Sequence, residues 1–168
     1  MASGNKENFI KKNSSEERRL EKAVKEIFRE LADLLAKDAE GATKKISVNV
    51  SQAKNQKQAK SVAFTVAESP LVKTAMFGND ANWGRILSAV GRDAEINNIE
   101  KVSISINGQP MVKRGNLDPK HSEGLASKAV KKKDIDINIK LGLGKAHFKV
   151  QTSDFSEDYV LINSDYRS

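Results

Sequence analysis

Asn107-Gly108 lies between two apolar stretches, with Val102, Ile104 and Ile106 before it and Met111 and Val112 after it. Both residues accept the left-handed backbone that a two-residue hairpin turn demands, so the pair predicts a tight antiparallel hairpin. The same chain carries helical stretches between its strands, and an antiparallel hairpin among them argues against a doubly wound, all-parallel sheet. The remaining alternation is just as plain. Ile46, Val48 and Val50 mark a half-buried strand over 45–51, and Ile135, Ile137, Ile139 and Leu141 mark another. Ala146–Gln151 and Tyr159–Ile162 read as the last strands.

Helical periodicity fills the intervals. Ser14 and Glu17 stand at capping-box spacing, and Leu20, Val24, Ile27, Phe28, Leu31, Leu34 and Leu35 then recur at steps of three and four. This predicts one long amphipathic helix ending near Asp38–Gly41. In isolation its apolar stripe is short of cover, and self-association is the expected relief. Further helices are predicted over Asn55–Glu68, Pro70–Phe77, Trp83–Val90 and 124–131, with 114–123 as loop. Pro70 starts a new helix because proline suits a first turn and disfavours helix at the residue before it. The expected fold class is α+β: a mixed sheet packed with helices, preceded by the long N-terminal helix.

Composition narrows the chemistry. The 168 residues contain no cysteine and two histidines, which excludes disulfides, thiolate zinc sites and a His-rich metal centre. No apolar run reaches the ~20 residues of a membrane helix. The N-terminal sequence lacks a basic-then-apolar signal pattern, so a cytoplasmic location is expected. The net charge of +7 is concentrated in two blocks, 45–75 and 113–140, the second containing Lys131-Lys132-Lys133. Such blocks form either a solvated face or a patch for nucleic acid or another acidic partner. No aromatic residue interleaves with the lysines, as a single-strand binder requires, so nucleic acid is not expected as a partner.

No phosphate loop, zinc spacing or recognisable nucleophile–base pair is present. Two segments stand out. Asp38-Ala39-Glu40-Gly41-Ala42-Thr43-Lys44 sets two carboxylates at a helix C-terminus, where the dipole favours cations, so a compensating partner is expected. Phe77–Arg85 gathers the single Trp among glycines and side-chain hydrogen-bonders, as either a capped, packed turn or a binding loop.

These segments resemble the ornithine acetyltransferases, the bifunctional ornithine acetyltransferase/N-acetylglutamate synthases of arginine biosynthesis. Asp38–Lys44 is similar to their Asp-Gly-Glu-Gly-Ala-Thr-Lys motif. Ser69–Ala75 and Phe77–Ile86 match the next two blocks, and Tyr159–Ser168 resembles the terminal Tyr-Val-x-Ile-Asn-x-x-Tyr-x-Thr/Ser. The chain departs from the pattern at Ala39, where Gly is usual, at Ala81, where Pro is common, and around Phe148–Asp154, which replaces a Trp-Gly-Cys-Asp segment.

The resemblance implies transfer of acetyl from N-acetylornithine to glutamate through an acetyl-threonine intermediate. It implies no metal and no resident cofactor, with acetyl-CoA a substrate only for the synthase reaction. The family's Ala-Thr-Met-Leu nucleophile segment is absent from this sequence, as is the oxyanion hole. The chain is therefore expected to be the C-terminal part of a β chain, inactive alone. Its expected partners are an α chain and the rest of the β chain in a hetero-oligomer. The implied division is a loose segment 1–13, the long helix and substrate motif 14–44, and the C-terminal α+β domain 45–168. Glu40, Asn163 and Ser168 align with substrate-binding positions. A carboxylate, an amide and a hydroxyl suit the ammonium and polar groups of ornithine. Without the resemblance, Glu40 reads as a surface acid, Asn163 as a turn residue and Ser168 as a frayed terminus. Asp80, Asn82 and Arg85 are candidates to support the site from behind. The competing expectation is a basic, non-catalytic module.

Overall fold

The computed structural model describes residues 9–94 and 96–165. Two compact units divide the chain, Met1–Leu35 and Ala36–Ser168.

The first unit is built on helix α1 (Ser15–Lys37). Ser14 caps it, its Oγ accepting the Glu17 N–H at 3.1 Å. The Glu17 carboxylate accepts from the Asn13 N–H, one residue earlier than a strict capping box would have it. The predicted apolar stripe is present and open: Leu20, Val24, Ile27, Phe28, Leu31, Leu34 and Leu35 are all exposed.

The second unit contains one six-stranded mixed sheet in the order β4-β3-β2-β5-β1-β6. Its strands are β1 (Lys45–Ala53), β2 (Ser103–Ile106), β3 (Gln109–Lys113), β4 (Asn116–Leu117), β5 (Asp134–Lys140) and β6 (Ala146–Ser153). Among the described residues only β1 and β5 run parallel; every other pair is antiparallel. The register aligns the alternation. Ile46, Val48 and Val50 lie opposite Ile135, Ile137 and Ile139, and Ile104 and Ile106 continue the same face. All eight side chains are buried, each contributing about 1.5–3 kcal/mol by removal from water. The other face carries Ser47, Asn49, Asp136, Asn138, Ser103 and Ser105, the polar alternate set of a sheet covered on one side.

Helices α2 (Gln56–Ala67), α3 (Pro70–Phe77), α4 (Trp83–Arg92), α5 (Glu123–Val130) and α6 (Glu157–Ser164) complete the unit. Asn55 caps α2 by accepting from the Gln58 N–H at 2.9 Å. Ala59, Val62, Ala63 and Val66 of α2 are fully buried, and the helix packs on β1 and β6. No helix among the described residues is long and apolar enough to cross a membrane.

The Asn107-Gly108 turn forms as expected, with φ of 47° and 80°. Asn107 also ties the hairpin to β5. Its Oδ1 accepts from the Asp136 N–H at 2.8 Å, and its Nδ2 donates to Ala129 O at 2.8 Å. Two expectations need correction. Residues 114–123 are not all loop: Arg114 and Gly115 adopt φ of 50° and 75° and turn the chain into β4. Arginine in a left-handed turn position is an uncommon signal, and a two-residue strand leaves no alternation to read. Tyr159–Ile162 is not a strand but the middle of α6. Ser156 caps that helix at the Tyr159 N–H, 3.1 Å away, and Glu157 and Asp158 fill its first turn, where the helix dipole favours acids.

Candidate functional site

The Asp38–Lys44 segment follows the end of α1 as a turn, closed by the Ala42 N–H on Ala39 O at 2.9 Å. Gly41 has φ +67°, and a Cβ there would stand 2.6 Å from the Tyr159 backbone nitrogen and 2.8 Å from its Cα. Glycine is required on both counts: the left-handed conformation and the close approach of α6. Ser156 joins the two pieces, since the hydroxyl that caps α6 also donates to Gly41 O.

Asp154, buried just after β6, grips the other half of the segment. Its Oδ1 accepts from the Thr43 N–H at 2.8 Å and the Lys44 N–H at 2.9 Å, while Oδ2 accepts from the Thr43 hydroxyl. The Asp154 N–H returns a bond to Lys44 O at 3.1 Å.

This double attachment sets the N-terminal end of α6 against Gly41 and places Asn163 beside Glu40. Asn163 Nδ2 lies 3.5 Å from Glu40 Oε2 and donates to Tyr159 O at 2.8 Å. The longer contact is at the limit of a hydrogen bond, so carboxylate and amide are neighbours rather than a locked pair. The neighbour of the Glu40 carboxylate is therefore an amide. Glu40 is exposed and makes no ion pair among the described residues. A carboxylate with a neighbouring amide can receive a ligand ammonium.

The cations nearby are disposed differently. The Lys44 ammonium is buried and donates to Asn79 Oδ1 at 2.8 Å, Val130 O at 2.7 Å and Met76 O. Met76 and Val130 sit at the C-terminal ends of α3 and α5, so one ammonium satisfies orphan carbonyls of two helices. Burial lowers its pKa, and the Asp154 charge offsets part of that. Lys73, on α3, is half-buried, with Nζ 5.5 Å from the centroid of the Phe155 ring. Its pKa is also lowered by burial and partly restored by Asp154. The Lys73 carbonyl accepts the Phe155 N–H at 3.4 Å, and the Phe155 ring packs against Tyr159 with centroids 4.5 Å apart and the planes tilted by 44°. Phe155 also lines a cavity of about 570 Å³ between α3 and α6, together with Thr74, Phe77, Ser156, Glu157, Val160 and Leu161.

Asp80, Asn82 and Arg85 form a capped turn at the start of α4. Asn82 accepts from the Arg85 N–H at 3.1 Å and donates to Asp80 Oδ2 at 3.0 Å. The Arg85 guanidinium clamps α3, reaching Leu71 O at 3.1 Å and Thr74 Oγ1 at 3.4 Å. The hydrogen bonds of these three residues run to one another and to α3, not to Glu40 or Asn163. The structure thus brings Glu40 and Asn163 together, while Ser168 lies outside the described residues. Asp154, Ser156 and Lys73 carry the arrangement and were not singled out from sequence. The signal for Asp154 was slight: one acid just past an alternating strand and two residues before a capping serine.

A two-layer α+β unit with a carboxylate–amide pair between a glycine turn and a short C-terminal helix belongs to a known class. The fold is similar to the crystal structure of the arginine biosynthesis bifunctional protein ArgJ from Bacillus halodurans. The TM-score is 0.88 at 35% sequence identity, over 95% of this chain and 75% of that one. Among curated relatives, the arginine biosynthesis bifunctional protein ArgJ of Bradyrhizobium diazoefficiens is 44% identical over 147 residues, covering 88% of this chain and 36% of the relative. That of Agrobacterium fabrum is 38% identical over 162 residues, covering 95% and 39%. The model of the ArgJ family matches residues 1–168, and the chain belongs to the ArgJ family. It spans little more than a third of the length of these curated relatives.

Proposed function

We propose that this chain supplies the substrate-ammonium end of an acetyl-transfer site that moves acetyl from N-acetylornithine to glutamate. The observation that carries the reading is the placement of Asn163 Nδ2 3.5 Å from Glu40 Oε2, with both residues exposed at positions the family resemblance marks for substrate. Family membership over the whole chain supports it.

In this reading the Glu40 carboxylate holds the side-chain ammonium of N-acetylornithine by a charge-assisted hydrogen bond, and Asn163 orients the same end. Ser168 contributes a hydroxyl. A threonine hydroxyl attacks the acetyl carbonyl, the amide C–N bond breaks, and ornithine leaves with its amine protonated. The glutamate amine then attacks the acetyl ester and returns the hydroxyl to threonine. Asp80, Asn82 and Arg85 support the site indirectly, by fixing α4 against α3. No resident metal or cofactor takes part, and acetyl-CoA is a substrate only if the synthase reaction is also performed. The 168 residues contain no Ala-Thr-Met-Leu segment, so the threonine and the oxyanion donors are supplied by sequence these residues do not include. The functional assembly joins this chain to that α and β sequence.

The test is reconstitution. The purified chain alone is expected to transfer no acetyl from N-acetylornithine to glutamate, since loss of an activated nucleophile costs about 10⁴-fold or more. Joined to a family α portion and nucleophile segment, it is expected to gain that activity. Transfer by the chain alone, or none after joining to a folded assembly, contradicts the proposal.

A further inference from the structure

Strand β6 ends one side of the sheet, and its outer edge is open. Its inner edge pairs with β1, from Lys45 opposite Ser153 to Ala53 opposite Ala146. Among the described residues no other strand pairs with it. Alternate N–H and C=O groups along its eight residues therefore face away from the sheet. Edge strands are commonly closed by a proline or a bulge. β6 has no proline, and the extra residue in this ladder lies in β1, between Val50 and Ala53.

The segments that border this edge are basic throughout. Residues 141–153 contain Lys145 and Lys149 and no acid. Residues 54–67, which hold α2, contain Lys54, Lys57 and Lys60 and no acid. All five lysines are exposed, and Lys145 and Lys149 make no ion pair among the described residues. Folding thus joins part of the basic block 45–75 to the start of β6, and the acetyl-transfer reading makes no use of it. The two faces of β6 differ. Lys149 lies opposite Asn49 on the polar face. Phe148 and Val150 lie opposite Val50 and Val48 on the apolar face, half-buried. Phe64 of α2 meets Phe148 at 6.0 Å between centroids and stays exposed, with Lys60 Nζ 5.8 Å from its ring. An incoming strand would meet cations on one face and an apolar shelf on the other. The Lys149 end of β6 pairs with the C-terminal half of β1, away from Lys44 and the Glu40 turn.

We propose that the outer edge of β6 binds an acidic, extended segment of a partner protein. The segment adds to the sheet as a further strand, its acids towards Lys145 and Lys149 and its apolar side chains against Phe148 and Phe64. Backbone pairing supplies the affinity and the alternation of side chains supplies the specificity. A second copy of this chain does not fit. Two β6 strands related by a two-fold axis run antiparallel. Centring that pair on His147 sets Lys145 opposite Lys149, and centring it on Lys149 sets that residue opposite itself. Like charges directly opposite are destabilising.

The experiment titrates the full 168-residue chain with a terminally blocked nine-residue peptide of alternating Glu and Val, followed by amide NMR. A Lys/Val peptide is the charge control. Two further peptides carry N-methyl groups on all the Glu amides or on all the Val amides. In a strand these two sets point to opposite edges, so only one methylation blocks pairing with β6. The Glu/Val peptide is expected to bind with a submillimolar Kd and to protect amides of β6. The Lys/Val peptide is expected to bind about tenfold more weakly or worse. One methylated peptide is expected to lose about tenfold, and the other to stay within about threefold of the unmethylated one. The double variant Lys145→Glu with Lys149→Glu is expected to weaken the Glu/Val peptide about tenfold, while unchanged amide signals of β1 and β5 report an intact fold. Equal effects of the two methylations, as a diffuse basic surface gives, overturn the proposal. So does an affinity unchanged by the double substitution, or no binding up to about 1 mM. A dimer in sedimentation whose β6 amides are protected without peptide overturns it in favour of a second copy.

Discussion

Three residues separate Glu40 from Lys44, yet the two ends of this segment do opposite things. Lys44 is buried, with its ammonium enclosed by Met76, Asn79 and Val130. Glu40 is exposed, with the Asn163 amide at the limit of hydrogen-bond distance from its carboxylate. One end spends its charge on protein carbonyls; the other keeps its charge for something else. Gly41 is the hinge between these regimes, because it alone lets the chain leave the Asp154 anchor and still pass under the Tyr159 backbone. A motif of seven residues thus contains an anchor and a presenting group, and the two are separable by mutation.

The largest effect is expected at the anchor. Lys44→Met removes the donor from three buried or half-buried acceptors and leaves the Asp154 charge less compensated. It is expected to destabilise the chain by about 3–5 kcal/mol, measured by denaturant unfolding. The pH arm has a definite sign. The folded pKa of Lys44 is lowered from 10.5, so the unfolded chain binds the proton more tightly. Relative to the Met variant, the parent is expected to gain stability as pH rises from the folded pKa towards 10.5, and to show no such gain below the folded pKa. A difference that shrinks with pH over that window would contradict the buried-ammonium account.

The hinge comes next. Gly41→Ala forces a side chain into a φ of +67° and within 2.6 Å of the Tyr159 nitrogen. It is expected to cost about 1–3 kcal/mol and to loosen α6, raising amide exchange at Tyr159 while β1 and β5 stay protected. If exchange rises equally in the sheet, the hinge and the anchor are one structure and the comparison fails.

Much of this was legible in sequence, for identifiable reasons. Pro70 and Gly78 bracket α3, and Asn55 caps α2, so those helices were readable from local chemistry alone. The Asn107-Gly108 turn was readable because both residues favour the handedness it needs. What escaped was set by contacts distant along the chain. Tyr159–Ile162 is apolar and short, and it becomes helix through the Ser156 cap and its docking on Gly41, more than a hundred residues earlier. Asp154 likewise shows its role only when folding brings Thr43 and Lys44 to it. Glu40 and Asn163 were marked as substrate positions only through family resemblance. Their spacing in sequence carries no trace of it.

The central claim is that Glu40 keeps its charge for a substrate ammonium. The most direct measurement joins this chain to a family α portion and nucleophile segment, and compares Glu40→Gln with the parent on both substrates. The amide keeps the shape and removes the charge. The KM for N-acetylornithine is expected to rise by about 10- to 100-fold, with that for glutamate much less affected and stability unchanged. Equal effects on both substrates, or none on either, would contradict the account and return Glu40 to an exposed acid at a helix end.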